Sequence, residues 1–493
     1  MAIRPKSGDI GYLEKQQNTI EMTPHKTANL KRSVGLFGAV MMGLGSIVGT
    51  GVFVSIAISV SVAGVWALLA IALASIVAIC NGLSSAQLAA NHPVSGGTYE
   101  YGHRWCSPRI GFVAGWMFLF AKSASAAAAS LGFSGYVLQL AGVTDRSWLV
   151  PLALAGVALV TVITLIGIRR TSLINSLIVA VTLTTLAFFV VAGLPNAWAN
   201  VWPAEGISGA TTSRPNPLDF SMANILYATA LMFVAYTGYG RIATLGEEID
   251  DPRRNIPRAI IVTLLVSMLL YVSVGFVVVF ANQGSGNVAE ISVPPAARPS
   301  GSEGLTYSDM IRILLVTFNS TTIGKAAPLH TIANGFGIPW AGTVLAVGAI
   351  TAMLGVLLNL ILGLSRVLLA MGRRAEMPTQ AALVGEKTGV PWVATLIVAA
   401  IISLIVLVGD VQIAWSFSAF AVLIYYSITN LCALRMKPSE RIFPIWPAWI
   451  GLASCLFLAF WVQPYIWANG LALLALGLLW QRAAIRLKER PSD

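Results

Sequence analysis

The stretch Gly43-Leu44-Gly45-Ser46-Ile47-Val48-Gly49-Thr50-Gly51-Val52-Phe53 sets four glycines close together in the middle of a long apolar segment. Hydrocarbon offers no water to backbone N–H and C=O groups, so a helix opens at such a depth only where the freed groups line a cavity or bind something. An unwound Val48-Gly49-Thr50-Gly51 exposes N–H donors at the start of the following half-helix, where the helix dipole favours an anion such as a carboxylate. Carbonyls freed around Gly45, Ser46 and Ile47 face the same gap and suit an ammonium group or a cation. One gap thus has the chemistry to hold both ends of an amino acid. The same glycines have a plainer use, because small residues let membrane helices pack closely. The rest of the sequence has to choose between the two.

A second interrupted apolar run, Phe233-Val234-Ala235-Tyr236-Thr237-Gly238-Tyr239-Gly240, favours the binding reading. Two interrupted segments at corresponding places in two halves of a chain point to an inverted-repeat transporter with its site at the midplane. Lys122 is the third chemical feature. Eleven residues beyond Gly111 in an apolar segment, at ~1.5 Å of rise each, it lies ~16 Å into a hydrocarbon core ~30 Å thick. A charge there is costly, so it must face the bundle interior and find a partner. Its helical neighbours Gly115, Ser125, Ala126 and Ala129 are small, which puts it on a tightly packed face. It reads either as a built-in cation that replaces or gates a coupling ion, or as a structural lysine bonded to backbone carbonyls.

The elements that position these residues are apolar helices. Of the 493 residues 56% are hydrophobic and only 10% charged, and the mean hydropathy is +0.77, values far from those of a soluble domain. Apolar segments fall near 34–60, 63–90, 111–140, 149–167, 172–194 and 219–246, then near 258–281, 340–371, 391–409, 411–434, 442–462 and 464–481. The expectation is an all-α integral membrane protein of twelve transmembrane helices, arranged as a five-plus-five inverted repeat with helices 1 and 6 broken. A tail over 1–33 precedes the first repeat (34–194). The second repeat (219–434) contains an external loop at 282–339, with Ile311 to Phe318 read as a surface helix. Two further helices fill 442–481, and 482–493 forms the last tail.

Net charge of +11 suggests nucleic acid in a soluble chain, but here it must be read by position. Most of the 31 Lys and Arg lie in the two tails and the even-numbered connections, with Arg146, Arg214, Arg298, Arg312 and Lys325 on the other face. By the positive-inside rule both termini are cytoplasmic in a multi-pass cell-membrane protein, and no nucleic-acid partner is needed. The first 33 residues lack an apolar h-region, so the first span is expected to serve as the insertion signal. Cys80, Cys106, Cys432 and Cys455 are scattered with neither metal spacing nor a disulfide framework. His92 and His103 read as solvated loop histidines. The run Gly246-Glu247-Glu248-Ile249-Asp250-Asp251-Pro252-Arg253-Arg254-Asn255-Ile256-Pro257-Arg258 reads as a salt-bridged gate or a solvated loop, with Pro257 starting the next span.

Several motifs together resemble the amino acid-polyamine-organocation (APC) superfamily of amino acid permeases. They are Gly45-Ser46-Ile47-Val48-Gly49-Thr50-Gly51-Val52-Phe53; Pro93 with Gly96-Gly97-Thr98-Tyr99-Glu100-Tyr101; Gly115-Trp116; Phe233 to Tyr239 followed by Glu247-Glu248, Asp251-Pro252-Arg253 and Pro257; and Ser365-Arg366-Val367 with Ala370-Met371-Gly372-Arg373 and Met377-Pro378. The resemblance implies the five-plus-five fold and alternating access. It puts the substrate carboxylate on the N–H groups of Gly49, Thr50 and Gly51, with the Thr50 hydroxyl. The amine falls on carbonyls of Ser46 or Ile47 and of Val234, Ala235 and Thr237. Many proton-coupled relatives carry a lysine in span 5 where this sequence has Thr182, and Lys122 offers a charge from span 3 instead. A gating aromatic common just before the Ala of the span 6 motif is replaced by Val234, with Phe233 one residue earlier and Tyr236 nearby.

The sequence therefore reads as a secondary active transporter of neutral amino acids, since no acidic residue lies deep in the membrane to pair with a cationic side chain. A coupling proton or sodium ion is left open, and no cofactor or metal is expected. An amino acid exchanger, an amine carrier and a sensor with a transporter fold are the alternatives. An enzyme is disfavoured, because no nucleophile–base or metal-ligand pair appears within the spans.

Overall fold

The computed structural model describes residues 34–94, 96–143, 145–167, 171–201, 220–244, 246, 248–281, 326–385 and 388–488. Helices carry nearly all of them. In chain order the helices are α1 (Leu36–Ile47), α2 (Ile56–Ala63), α3 (Ala67–Asn91), α4 (Thr98–Tyr101), α5 (Pro108–Leu140), α6 (Leu149–Ile166), α7 (Thr171–Val201) and α8 (Met222–Tyr236). There follow α9 (Gly240–Thr244), α10 (Pro252–Phe280), α11 (Pro328–Asn334), α12 (Ala341–Arg373), α13 (Trp392–Val406), α14 (Val411–Leu434), α15 (Trp446–Ala459) and α16 (Pro464–Lys488). Among the described residues the only β pairing is a single bridge, Val34 with Ile249. In it the Val34 N–H donates to the Glu248 carbonyl (3.1 Å) and the Asp250 N–H to the Val34 carbonyl (3.0 Å).

Among the described residues seven helical runs are long and apolar enough to cross a membrane, or eight if the bent pair Trp446–Ala459 and Pro464–Ala484 counts as one. The number is smaller than the twelve expected for identifiable reasons. Leu36–Asn91 forms one continuous run over the first two expected spans, Trp392–Val406 is short, and the segment at 222–244 is broken between α8 and α9. The expected surface helix at 311–318 lies outside the described residues, as do Glu247 and the tail before Val34.

Why α5 and α14 form the centre follows from composition. Some 78% of the apolar window of α5 and 83% of that of α14 is buried, against 33% for the helix ending at Val201. Along α5, Ala121, Ala124 and Ala126 to Ala129 are fully buried, and such small side chains let neighbouring backbones approach. Outward positions on the peripheral helices carry exposed Leu159, Ile166, Leu177, Val191, Leu269 and Leu404, which suits contact with lipid. Helix starts are set locally: Ser107 accepts from the Ile110 N–H ahead of Pro108, and Asp410 accepts from the Ile413 N–H at 2.8 Å, each satisfying an orphan donor of the first turn. α10 begins at Pro252, not near Pro257, which lies inside the helix. Pro252 sits at the first helical position, where a missing N–H costs nothing.

Candidate functional site

The two interrupted segments meet in the interior. α1 ends at Ile47, Val48 turns to ψ 90°, and the chain resumes as a π-helical turn over Gly51–Ser55. The Gly49 carbonyl accepts from both the Val52 and Phe53 N–H groups at 3.0 Å. The opening is thus narrower than the four-residue one expected, concentrated at Val48 and Gly49. Opposite it, α8 gives way to a tight turn at Thr237–Tyr239 before α9. A Cβ on Gly51 would lie 2.8 Å from both the Ala235 Cβ and the Tyr271 hydroxyl, and one on Gly238 would collide with the Ser46 carbonyl. Only glycine lets the two breaks touch, so close packing and helix opening are the same feature here.

Three side chains hold the breaks, one of them joining the two. The Tyr271 hydroxyl on α10 shares its proton between the carbonyls of Ile47 (2.8 Å) and Ala235 (3.1 Å). The Tyr426 hydroxyl on α14 donates to the Thr237 carbonyl at 3.1 Å. From α5, Lys122 Nζ donates to Thr237 Oγ1 at 2.8 Å, and that hydroxyl donates in turn to the Val234 carbonyl at 2.7 Å. The buried lysine is therefore partnered by a hydroxyl at the second break.

Between the breaks lies a small cavity, about 330 Å³ with the space open to solvent included. Of the residues expected at a substrate site, Ser46, Ile47, Thr50, Gly51, Val234, Ala235 and Thr237 line it, together with Lys122. The Thr50 hydroxyl is buried there with no hydrogen-bond partner. Gly49 is not among the lining residues and packs on Val356 of α12. A second cavity of about 670 Å³, mouth included, shares Ser46, Lys122 and Thr237 and runs past Asn359 to Gly96, Arg241, Thr244 and the exposed Arg366. Among the described residues no Asp or Glu lines either cavity, while three cations do. Arg366 pairs with Glu248 at 3.3 Å.

The remaining expected gating residues lie off the cavities. The Thr182 hydroxyl is bonded within its own helix to the Ile178 carbonyl at 2.7 Å. Phe233 is fully buried with its ring edge-on to Tyr426 at 5.7 Å. Tyr236 stacks obliquely on Tyr271 at 4.9 Å, its hydroxyl 3.5 Å from the Ile71 carbonyl. Sequence reasoning missed Tyr271, Tyr426, Asn359, Val356, Leu360 and Trp415. The last three are apolar residues in apolar helices and give no signal. Asn359 did give one, as a polar residue inside an apolar run: its amide donates to Asn175 Oδ1 (3.1 Å), and the Asn175 amide donates to the Met41 carbonyl in α1 (3.1 Å).

Near the Arg366 end, the two loop histidines prove to be engaged rather than solvated. His103 Nε2 meets Glu376 Oε1 at 3.0 Å, and the Tyr99 hydroxyl donates to Glu376 Oε2 at 2.7 Å. Burial and the Glu376 carboxylate push the Tyr99 phenol upward. His92 packs against the Trp105 ring and bonds Arg104 through Nδ1. Desolvation, then the charges of Arg104 and Arg374, hold its imidazole below the usual range. His103 lies in the π-helical turn Gly102–Cys106 between α4 and α5, and His92 caps the end of α3.

Apolar helices packed around an interior cavity at two helix breaks define the class, a polytopic membrane transporter. A model of the amino acid permease family matches residues 38–490, and the chain belongs to that family, within the APC superfamily. It is 36% identical to an uncharacterized transporter of Mycobacterium tuberculosis, over 91% of this chain and 90% of the relative. It is 25% identical to the branched-chain amino acid permease BcaP of Bacillus subtilis, over 74% and 72% of the two chains. The cationic amino acid transporter 4 of Homo sapiens is 25% identical, over 88% of this chain and 65% of its own.

Proposed function

We propose that this amino acid permease is a secondary active transporter moving neutral amino acids by alternating access, with twelve spans in a five-plus-five inverted repeat. The observation that carries the reading is the unpartnered Thr50 hydroxyl, buried in a cavity at the touching breaks. A buried hydroxyl without a partner costs about 1–3 kcal/mol, which a bound ligand recovers. The substrate carboxylate takes the Thr50 hydroxyl with the N–H groups of Thr50 and Gly51, the Gly49 N–H expected from the sequence lying off the cavity. Its amine takes the second lone pairs of carbonyls at Ser46 or Ile47 and at Val234, Ala235 and Thr237. Neutral side chains are favoured because, among the described residues, no carboxylate lines the cavities to balance a cationic one, while Lys122 faces into both.

Lys122 is the coupling or gating group. It holds Thr237 at the second break, so a ligand or ion that competes for either partner shifts that break. With both termini cytoplasmic in the cell membrane, the cavity ending at Arg366 opens inward, and the Arg366–Glu248 pair lies at its mouth.

Uptake of a labelled amino acid mixture into proteoliposomes tests the reading, under a sodium gradient, a pH gradient or with only unlabelled amino acids inside. Uptake driven by an ion gradient supports the proposal and names the ion. Uptake only against internal amino acid makes the protein an exchanger. If nothing moves while an amino acid still stabilises the purified protein, the transporter reading gives way to a sensor.

A further inference from the structure

Cys106 and Cys432 stand far apart in sequence, yet their sulfurs lie 3.4 Å apart. Both are free thiols. Cys106 closes the turn Gly102–Cys106 just before α5 and is partly exposed, whereas Cys432 sits in the last turn of α14 and is fully buried. A disulfide needs sulfurs about 2.05 Å apart, so the two must close by roughly 1.4 Å. The junction is already held in register: Thr98 Oγ1 and Thr429 Oγ1 share a proton at 2.7 Å, and the Thr98 N–H donates to the Tyr425 hydroxyl at 3.3 Å. α14 also carries Tyr426, which bonds the second helix break.

We propose that Cys106 and Cys432 form an oxidisable dithiol whose disulfide pins the turn before α5 to α14 and slows transport. The partly exposed Cys106 is the attacking sulfur. The hydrogen bond from Cys432 and the nearby Arg435 charge lower its thiol against the opposing effect of burial, and a thiolate is the reactive form. Its thiolate attacks a small disulfide, forming a mixed disulfide and expelling one thiolate. Cys432 loses its proton to solvent and attacks the Cys106 sulfur, closing the Cys106–Cys432 bond and expelling the second thiolate. The protein dithiol is oxidised and one small disulfide is reduced to two thiols. Reduction runs the same path backwards: entering thiols attack the partly exposed Cys106 sulfur and expel Cys432 as the leaving thiolate.

The effect on transport rests on the function proposed above; the bond itself does not. Reconstituted protein is treated with dipyridyl disulfide, then analysed for released thiopyridone, linked peptides and uptake. The expected result is two thiopyridones per protein, a linked peptide pair containing Cys106 and Cys432, and a loss of uptake that dithiothreitol restores. In Cys106→Ser and Cys432→Ser the linked pair is absent and uptake resists the reagent. A mixed disulfide that persists on Cys106 overturns the dithiol, and a linked pair with unchanged uptake overturns its control of transport. Should untreated protein move no amino acid, the transport reading falls while the linked pair still decides the dithiol.

Discussion

The Tyr271 hydroxyl reaches the Ile47 carbonyl at 2.8 Å and the Ala235 carbonyl at 3.1 Å, so one side chain of α10 ties the end of α1 to the second break. These carbonyls belong to the group that would receive a substrate amine. Tyr271 therefore fixes their direction before anything binds. Replacing it with phenylalanine keeps the ring against Tyr236 and removes the tie. Tyr271→Phe is expected to cost about 1–3 kcal/mol, the penalty for leaving buried acceptors short of a donor. A lower thermal-unfolding midpoint in detergent is the readout, and an unchanged midpoint would mean that the tie is not formed.

Thr50 makes the opposite case, because its hydroxyl has no partner to lose. Thr50→Val swaps that hydroxyl for a methyl of the same shape, so the empty protein is expected to keep or gain stability. Substrate affinity falls about 2- to 10-fold, the worth of one hydrogen bond of about 0.5–1.5 kcal/mol. Thr50→Ser retains the affinity. Thermal melts with and without substrate separate the effects, and a destabilised empty Thr50→Val protein would count against the reading.

Lys122 is held by a hydroxyl, not by a carboxylate. Lys122→Ala is expected to abolish gradient-driven uptake while substrate still raises the melting midpoint, since the lysine bonds the Thr237 hydroxyl and the proposed amine contacts are main-chain carbonyls. Loss of both together would make Lys122 a structural residue.

Glycine at position 51 is required by contact. Gly51→Ala brings a Cβ within 2.8 Å of the Ala235 Cβ and the Tyr271 oxygen, whereas Gly35→Ala meets nothing within 4 Å. Yield of folded protein and uptake should fall for the first and stay level for the second. Equal behaviour of the two would remove the argument that the breaks must touch.

His92 gives the pH dependence its sign. Its folded-state pKa is lowered by desolvation and by Arg104 and Arg374, so the unfolded chain binds the proton more tightly. The stability that it contributes is present above about pH 6.5, the ordinary histidine value, and is lost as pH falls toward the folded pKa. Half-exposure makes the effect small. Melting midpoints of the wild type should drop faster than those of His92→Gln on acidification through that window, and parallel curves would assign the loss elsewhere.

Much of the helical layout is legible from hydropathy alone. The apolar segment expected at 411–434 is the helix Val411–Leu434, and the one at 149–167 is Leu149–Ile166. Runs of that length leave hydrophobic burial and internal backbone bonding no competitor. Boundaries slip where a proline has two possible places, as at Pro252 and Pro257. At the candidate site, glycine spacing marks both breaks, because close backbone approach needs glycine whatever the surroundings. Contacts between distant segments leave no such trace. Nothing near Lys122 in sequence names Thr237, and four apparently scattered cysteines hide the pair at 106 and 432.

The bridge between Val34 and Ile249 is made wholly of main-chain atoms, with Val34 donating to Glu248 and receiving from Asp250. A seam of that kind is indifferent to side-chain identity, so both segments are free to diverge while it persists, proline excepted at the donor positions. It also splices the residue that leads into α1 onto the loop whose Glu248 grips Arg366. Val34 ahead of α1 and Arg366 of α12 are thereby held by one short stretch, Glu248 to Asp250.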